Sequence, residues 1–329
     1  MNRRSAFAAA AALLLLAGPS SAPASGPTTA GKEPRFLLTA KAEKDTVKLG
    51  ERIAITLKLT SRMVRVAAVG KIQLGSPNAV VFDVKTAKGN FQVSRLLGRY
   101  EKEEFKSDPV PREQLKGGQS ITGTVNLLAI LPGKMEITAV YLGIETRDWP
   151  DPIEAKPVTV TVEPGAGGET KVGAKIRTSK GEMTAELLPE KAYNTVNNFL
   201  TLGMDGYYNH RVFHRIIKDF MVQTGDPNGN GTGGPGYYIP AEFNDIKHEK
   251  GVLSMAKEEQ PNTAGSQFFI VHKATPFLDG KYSAFGRVIS GIEVVDALAN
   301  VPVKATLHGA PSEPVEMPTL DGVDLVLLK

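Results

Sequence analysis

The chain has 329 residues, a length that suits about two domains, and carries 39 Lys plus Arg against 35 Asp plus Glu. With Arg3 and Arg4 assigned to the leader described next, 37 basic residues face 35 acidic ones, a balance that predicts no electrostatic footprint for nucleic acid. The complete lack of cysteine excludes disulfides, zinc–thiolate centres and thiol nucleophiles.

Residues 1–24 read as a secretory signal: Arg3 and Arg4 form a positive start, Ala6 to Ala17 an apolar run, and Ala22-Pro23-Ala24 a small-residue cleavage site. The apolar run is shorter than the ~20 residues that span a bilayer. The expectation is an exported protein, periplasmic or secreted, with cleavage after Ala24 and no membrane span. Residues 25–34, SGPTTAGKEP, have the composition of a flexible tether.

From Phe36 the period becomes two. Arg52 to Thr60 alternates cleanly, with Ile53, Ile55, Leu57 and Leu59 on one face, which predicts a half-buried strand. Further β-rich runs follow at Val64–Leu74, Val80–Val84, Phe91–Leu97, Ser120–Ile130, Lys134–Leu142 and Pro157–Val162, punctuated by Gly, Pro and Asn. Leu127–Leu131, Pro132-Gly133 and the alternation resumed at Met135 predict a strand pair joined by a tight turn. Short strands without a helical period favour a β-sandwich over residues 35–163. No catalytic constellation falls there, and Trp149 reads as a loop residue packed on the sandwich.

Residues 164–171 are glycine-rich and make the best interdomain linker. A second alternating run begins at Val172. Pro189 opens a helical stretch in which Ala192, Val196, Phe199 and Leu200 recur at helix spacing, ending near Gly203. Ser290-Gly291-Ile292-Glu293 reads as a capping box for a second helix carrying Val295, Leu298 and Ala299. Two helices around a β-rich interior suggest a barrel plugged at its ends.

Within that interior, FHRIIKDFMVQTGD (Phe213–Asp226) places one cation, Arg215, ahead of Phe220, Met221 and Gln223. Burying an unpaired guanidinium is costly, so Arg215 must reach water or meet an acceptor. A cation beside apolar residues, with an amide to hold a backbone, suits a neutral peptide better than a phosphate or a metal.

This segment resembles the signature of the cyclophilins, the peptidyl-prolyl cis–trans isomerases. The resemblance continues through Asn230–Gly234, Glu242-Phe243, Gly251–Ala256, Asn262–Ile270, Phe277–Lys281 and Phe285–Val288, and so covers residues 172–329. It implies a mainly β fold, an eight-stranded antiparallel β-barrel with two capping helices. The β-sandwich before it lies outside this resemblance; its Leu49-Gly50-Glu51 start and its Leu131-Pro132-Gly133 turn before an alternating strand ending in Tyr141 look like the immunoglobulin-like modules of exported bacterial proteins. The cyclophilin resemblance implies that Arg215 is the catalytic residue, that Phe220, Met221, Phe269 and Leu278 line the pocket for a proline ring, and that Gln223 binds the peptide backbone. Backbone at Ala256 and Lys257 is implied to pair with an extended substrate. Gln267 supports the groove, and Gly231 and Thr232 border a neighbouring subsite. No metal or other cofactor is implied. The partners are proline-containing polypeptides, with a further partner open for the sandwich.

Phe277 stands where many eukaryotic relatives have tryptophan, Tyr282 where histidine is common, and the link Lys257-Glu258-Glu259-Gln260-Pro261 is one residue longer than usual. All three bear on substrate choice and none removes Arg215.

Rival readings are weaker. Gly229–Gly234 satisfies GxGxxG but runs into Pro235-Gly236 with no βαβ unit around it. His210 and His214 have no matched third metal ligand. Ser254 and Ser266 have no convergent His–Asp pair implied by sequence. Arg215 paired to Asp226 or Glu242 is the structural alternative to catalysis. A peptide-binding or chaperone module with little turnover is the alternative function.

Overall fold

The structure is a computed structural model that describes residues 36–62, 67–70, 73, 80–96, 98–101, 104–107, 112–142, 152–304 and 312–329. The leader, the tether and Trp149 lie outside the described residues. Two compact units emerge, one made of residues up to Asp45 with Ala54–Asn126 and Met135–Val160, the other of Thr46–Ile53, Leu127–Lys134 and Thr161–Lys329.

The clean alternation forms strand Arg52–Ser61, with Ile53, Ile55, Leu57 and Leu59 buried. It lies between Phe36–Ala42 and Ser120–Leu128 in a three-stranded sheet, and the first pair runs antiparallel from Phe36↔Ser61 to Ala42↔Ile55. A six-stranded sheet orders Thr46–Lys48, Val158–Glu163, Gly133–Tyr141, Val80–Thr86 and Gly89–Val93, with Ile153–Glu154 paired to Gly133–Tyr141.

The tight strand pair expected around Pro132-Gly133 does not form. Ser120–Leu128 and Gly133–Tyr141 belong to different sheets, so the turn is a crossover. The backbone explains this: Ala129 N–H donates to the Glu51 carbonyl, and Gly50 N–H donates to that of Ala129. Leu127 to Leu131 are all buried, a continuous apolar run that has no solvent face to offer a simple hairpin.

Nine strands of the C-terminal region make one sheet. In chain order they are β1 (Lys171–Thr178), β2 (Gly181–Leu187), β3 (Arg211–Val212), β4 (Arg215–Ile217), β5 (Met221–Thr224), β6 (Val252–Met255), β7 (Phe268–Val271), β8 (Ala284–Ser290) and β9 (Thr319–Leu328). Their spatial order is β3-β9-β1-β2-β8-β6-β7-β5-β4. The outermost strands β3 and β4 are separated in sequence only by Phe213 and His214, so the sheet must curl until its two ends nearly meet. This is the expected barrel, with nine strands in place of eight because the two-residue β3 pairs with β9 through Arg211↔Leu320 and Val212↔Thr319.

Helix α1 spans Tyr193–Met204, four residues later than Pro189 suggests, because Leu188 is first occupied in a turn that accepts the Lys191 and Ala192 N–H groups. Its cap comes from far away: the Glu242 carboxylate accepts Asn194 N–H at 3.0 Å, Thr195 N–H at 2.7 Å and the Thr195 hydroxyl at 2.6 Å, satisfying free donors at the positive end of the helix. Phe199 from α1 enters the barrel and meets Tyr208, Phe268 and Phe285 at centroid distances of 5.3, 5.1 and 5.0 Å.

Helix α2 spans Ile292–Ala299, and the capping box is not made. Gly291 is the N-cap, left-handed at φ 79°, with no side-chain cap. Ser290 remains in β8, and a side chain at position 291 would collide with the carbonyl of Glu182. Close strand approach, and not hydroxyl capping, selects this helix start.

Candidate active site

Residues directly opposite each other in a sheet point to the same face. Register places Arg215 (β4) opposite Gln223 (β5), Gln223 opposite Phe269 (β7), and Phe269 opposite Ser254 (β6). Arg215 and Phe269, 54 positions apart in the chain, thereby enter one row. Met221, two residues from Gln223, joins the same face. Between β4 and β5 the chain turns at Asp219, left-handed at φ 62°, which swings Phe220 beside the row.

A hydrogen-bond chain starts at the guanidinium. Arg215 Nη1 donates to Gln223 Oε1 at 3.4 Å and approaches the Met221 sulfur at 3.8 Å. Gln223 Nε2 donates to Gln267 Oε1 at 2.9 Å, and Gln267 Nε2 donates to the carbonyls of Gly231 at 3.0 Å and Gly233 at 2.9 Å. The glycine-rich loop is itself held by buried Asp226, whose carboxylate accepts the backbone N–H groups of Asn228, Asn230 and Gly231. Burial pushes the Asp226 carboxyl up, but these three donors bring it below the ordinary aspartate value.

Arg215 has no carboxylate partner among the described residues; Asp226 and Glu242 are both engaged with backbone amides, which removes the structural alternative for this arginine. Burial lowers the Arg215 pKa from its ordinary value, and the group stays cationic. Its guanidinium carbon lies 5.9 Å from the Phe220 ring centroid.

Beside it, Met221, Phe269, Leu278, Val252, Val271 and Ala284 form a buried apolar cluster against which Phe220, Ala256 and Tyr282 pack. Tyr282 meets Phe269 edge-on at 5.8 Å. The structure thus brings Arg215, Phe220, Met221, Gln223, Ala256, Gln267, Phe269, Leu278 and Tyr282 together. Phe277 is outside the cluster, 64% exposed, at 5.7 Å from the Phe220 ring. Gly231 and Thr232 reach the site through the loop that Gln267 holds. Lys257 stands at the rim, its Nζ 5.0 Å from the Tyr282 ring.

Sequence reasoning missed the layer behind the pocket. Ser254 does converge with a His–Asp pair: His248 Nε2 is 3.1 Å from Ser254 Oγ, and His248 Nδ1 is 3.1 Å from Asp279 Oδ1. Ser254 and His248 are both buried, which denies a substrate access and makes the trio a strut. The His248 ring stacks on Phe269 at 6.2 Å. His272 is a second strut: its Nδ1 accepts Asp219 N–H at 2.9 Å, its Nε2 is 3.2 Å from Asp296, and its backbone N–H donates to the Phe220 carbonyl at 2.9 Å. No local motif announces either one.

Burial depresses the pKa of His214 and of His248, against the pull of Asp226 on the first and Asp279 on the second. A depressed histidine contributes stability that is full above its unfolded value of about 6.5 and is lost as pH falls through the folded value. Glu242 is raised by burial against its helix-cap donors and acts in the opposite direction. The urea midpoint is therefore expected to fall between pH 7 and pH 5 in the wild type and to fall less in a His214→Gln/His248→Gln variant; equal slopes would refute this assignment.

The family model described as "Cyclophilin type peptidyl-prolyl cis-trans isomerase/CLD" matches residues 174–320. A peptidyl-prolyl cis-trans isomerase-like 1 of Aspergillus fumigatus is 52% identical over 130 residues, 38% of this chain and 80% of that protein. A peptidyl-prolyl cis-trans isomerase of Synechococcus elongatus is 47% identical over 39% of this chain and 88% of its own length. A peptidyl-prolyl cis-trans isomerase-like 3 of Gallus gallus is 49% identical over 39% of this chain and 82% of its own. With Arg215, Gln223 and Phe269 in one row of the barrel beside the apolar cluster, the chain belongs to the cyclophilin-type peptidyl-prolyl cis-trans isomerase family.

Proposed function

We propose that the chain accelerates rotation about X–Pro bonds in exported proteins, with Arg215 stabilising the twisted bond. One observation carries the mechanism: a half-buried guanidinium borders the apolar cluster with no carboxylate partner among the described residues. Resonance sets the rotation barrier at ~18–20 kcal/mol. As the bond twists, the prolyl nitrogen becomes pyramidal and its lone pair accepts an N–H. A planar amide nitrogen offers no such acceptor, so an Arg215 N–H directed there is selective for the transition state. Met221, Phe269, Leu278 and Phe220 hold the ring while the preceding carbonyl swings, Gln223 holds the peptide backbone, and backbone at Ala256 and Lys257, just past β6, pairs with the extended substrate.

This route moves no proton. Across pH 7–9, above both depressed histidines, kcat/KM for a proline tetrapeptide is expected to stay flat, with a solvent deuterium isotope effect of about one; a bell-shaped profile would point to acid–base catalysis instead. Export rests on the leader pattern of residues 1–24, and the intact mass of the protein from its native host tests cleavage after Ala24. No helix among the described residues is long and apolar enough to cross a membrane. We take the N-terminal sheets as an immunoglobulin-like sandwich that recruits a partner or client. A variant lacking residues 35–163 also loses Thr46–Ile53 and Leu127–Lys134 of the C-terminal unit; once circular dichroism shows it folded, it should keep tetrapeptide turnover and lose rate on a folding protein.

Phe277 also bears on inhibition. It is exposed and its ring has no N–H to donate, whereas the tryptophan of many eukaryotic relatives contacts cyclosporin through its indole N–H, so cyclosporin is expected to bind weakly. Phe277→Trp should tighten it by up to about tenfold, the value of one hydrogen bond. Nanomolar inhibition of the unchanged chain would refute the expectation.

A further inference from the structure

Lys257 is the second cation of the site. Its side chain is half-buried, and its Nζ donates to the carbonyls of Glu258 at 3.0 Å and Glu259 at 3.2 Å. Two of its three donors are used, both on neutral oxygens. No carboxylate pairs with it among the described residues. Its ammonium lies over the Tyr282 ring at 5.0 Å, and Tyr282 packs on the apolar cluster and against Phe269. Neither acid of the same link forms an ion pair with it: Glu258 and Glu259 are both exposed, and Glu258 Oε1 accepts the Tyr238 hydroxyl at 3.5 Å.

The sheet fixes how far this charge is from a bound proline. β4, β5, β7 and β6 are successive neighbours, so the strand of Arg215 and the strand that leads to Lys257 are three spacings apart along the curled sheet, at most about 14 Å in a straight line. An extended peptide advances about 3.3 Å per residue, so four residues cross that span. A proline seated over Met221 and Phe269, in the middle two strands, leaves about two residues to the Lys257 ammonium. A glutamate or aspartate at that separation brings a carboxylate to the free N–H.

We propose that Lys257 is a specificity-determining residue that favours substrates with an acidic side chain within about two residues of the proline. This rests on the isomerase reading and adds a substrate class to it. The charge is placed by the longer link after Ala256 and oriented by Tyr282.

The test uses the full chain and matched proline pentapeptides carrying Glu, Gln or Lys at one or two residues on either side of the proline. At low salt the wild type is expected to favour Glu over Gln by about three- to fivefold in kcat/KM, carried by KM, in the range of a partly exposed charge pair, with the preference shrinking in high salt. Lys257→Gln should bring the ratio to about one, and Lys257→Glu should invert it. A wild-type ratio of one at every position, or a ratio that survives both substitutions, overturns the proposal. Calorimetric titration of the same peptides separates it from the parent reading: turnover without a Glu preference sinks the role of Lys257 alone, whereas a Glu preference in binding without turnover sinks the isomerase reading alone.

Discussion

Arg215→Ala is expected to lower kcat/KM for a proline tetrapeptide by about a hundred- to a thousandfold, the range for loss of one donor aimed at transition-state charge, with KM changed by less than about threefold. The asymmetry follows from when the hydrogen bond exists. A planar prolyl amide has no acceptor for the guanidinium, so the ground state loses little, and kcat falls together with kcat/KM. Arg215→Lys should recover less than a tenth of the activity, since a point charge cannot both donate to Gln223 and meet the prolyl nitrogen through a rigid fork. The unfolding midpoint should barely move: Arg215 is half-buried and pairs with the amide of Gln223 at 3.4 Å, not with an acid. A protease-coupled assay reads the first quantity and urea unfolding the second. A drop of less than fivefold, or one carried by KM, would show that binding alone is the residue's contribution. If Arg215→Ala still suppresses aggregation as the wild type does, a holding role exists beside catalysis.

Legibility in the sequence followed the range of the forces involved. Strand Arg52–Ser61 was readable because period two is local and its burial pattern is strict. The crossover at Pro132-Gly133 was not, because hydrogen bonds to residues 50 and 51 decide it, and turn chemistry is blind to partners that far away. The capping box failed for a related reason: Ser290 is held in β8, leaving Gly291 to make the turn against Glu182. At the site, the motif resemblance named Arg215, Gln223 and Phe269, yet only strand register explains why residues so far apart share a face. The supports stayed hidden. His248 and Asp279 are 31 residues apart, and neither sits in a spacing that implies the other; their contact depends on the barrel closing. Lys257 was anticipated for its backbone, whereas its charge acquires meaning only from Tyr282 beneath it.

Asp226→Ala is the second large effect, and it reaches the chemistry through the loop. The carboxylate is buried and receives three backbone N–H donors, each of which loses its partner on truncation; leaving them unsatisfied costs about 3 kcal/mol in total, since a buried orphan donor costs ~1–3 kcal/mol and water reaches some of them. The urea midpoint should fall accordingly, and Asp226→Asn, which retains one acceptor oxygen, should recover about half the loss. Catalysis should fall as well, because the carbonyls of Gly231 and Gly233 fix Gln267, which fixes Gln223 beside Arg215. Loss of stability alone does not predict that coupling. A double-mutant cycle with Gln267→Ala does: once the loop no longer holds Gln267, removing its amide costs little more, so the two effects on kcat should sum to much more than the double variant shows. Strict additivity would mean that Asp226 serves the fold and leaves Arg215 untouched.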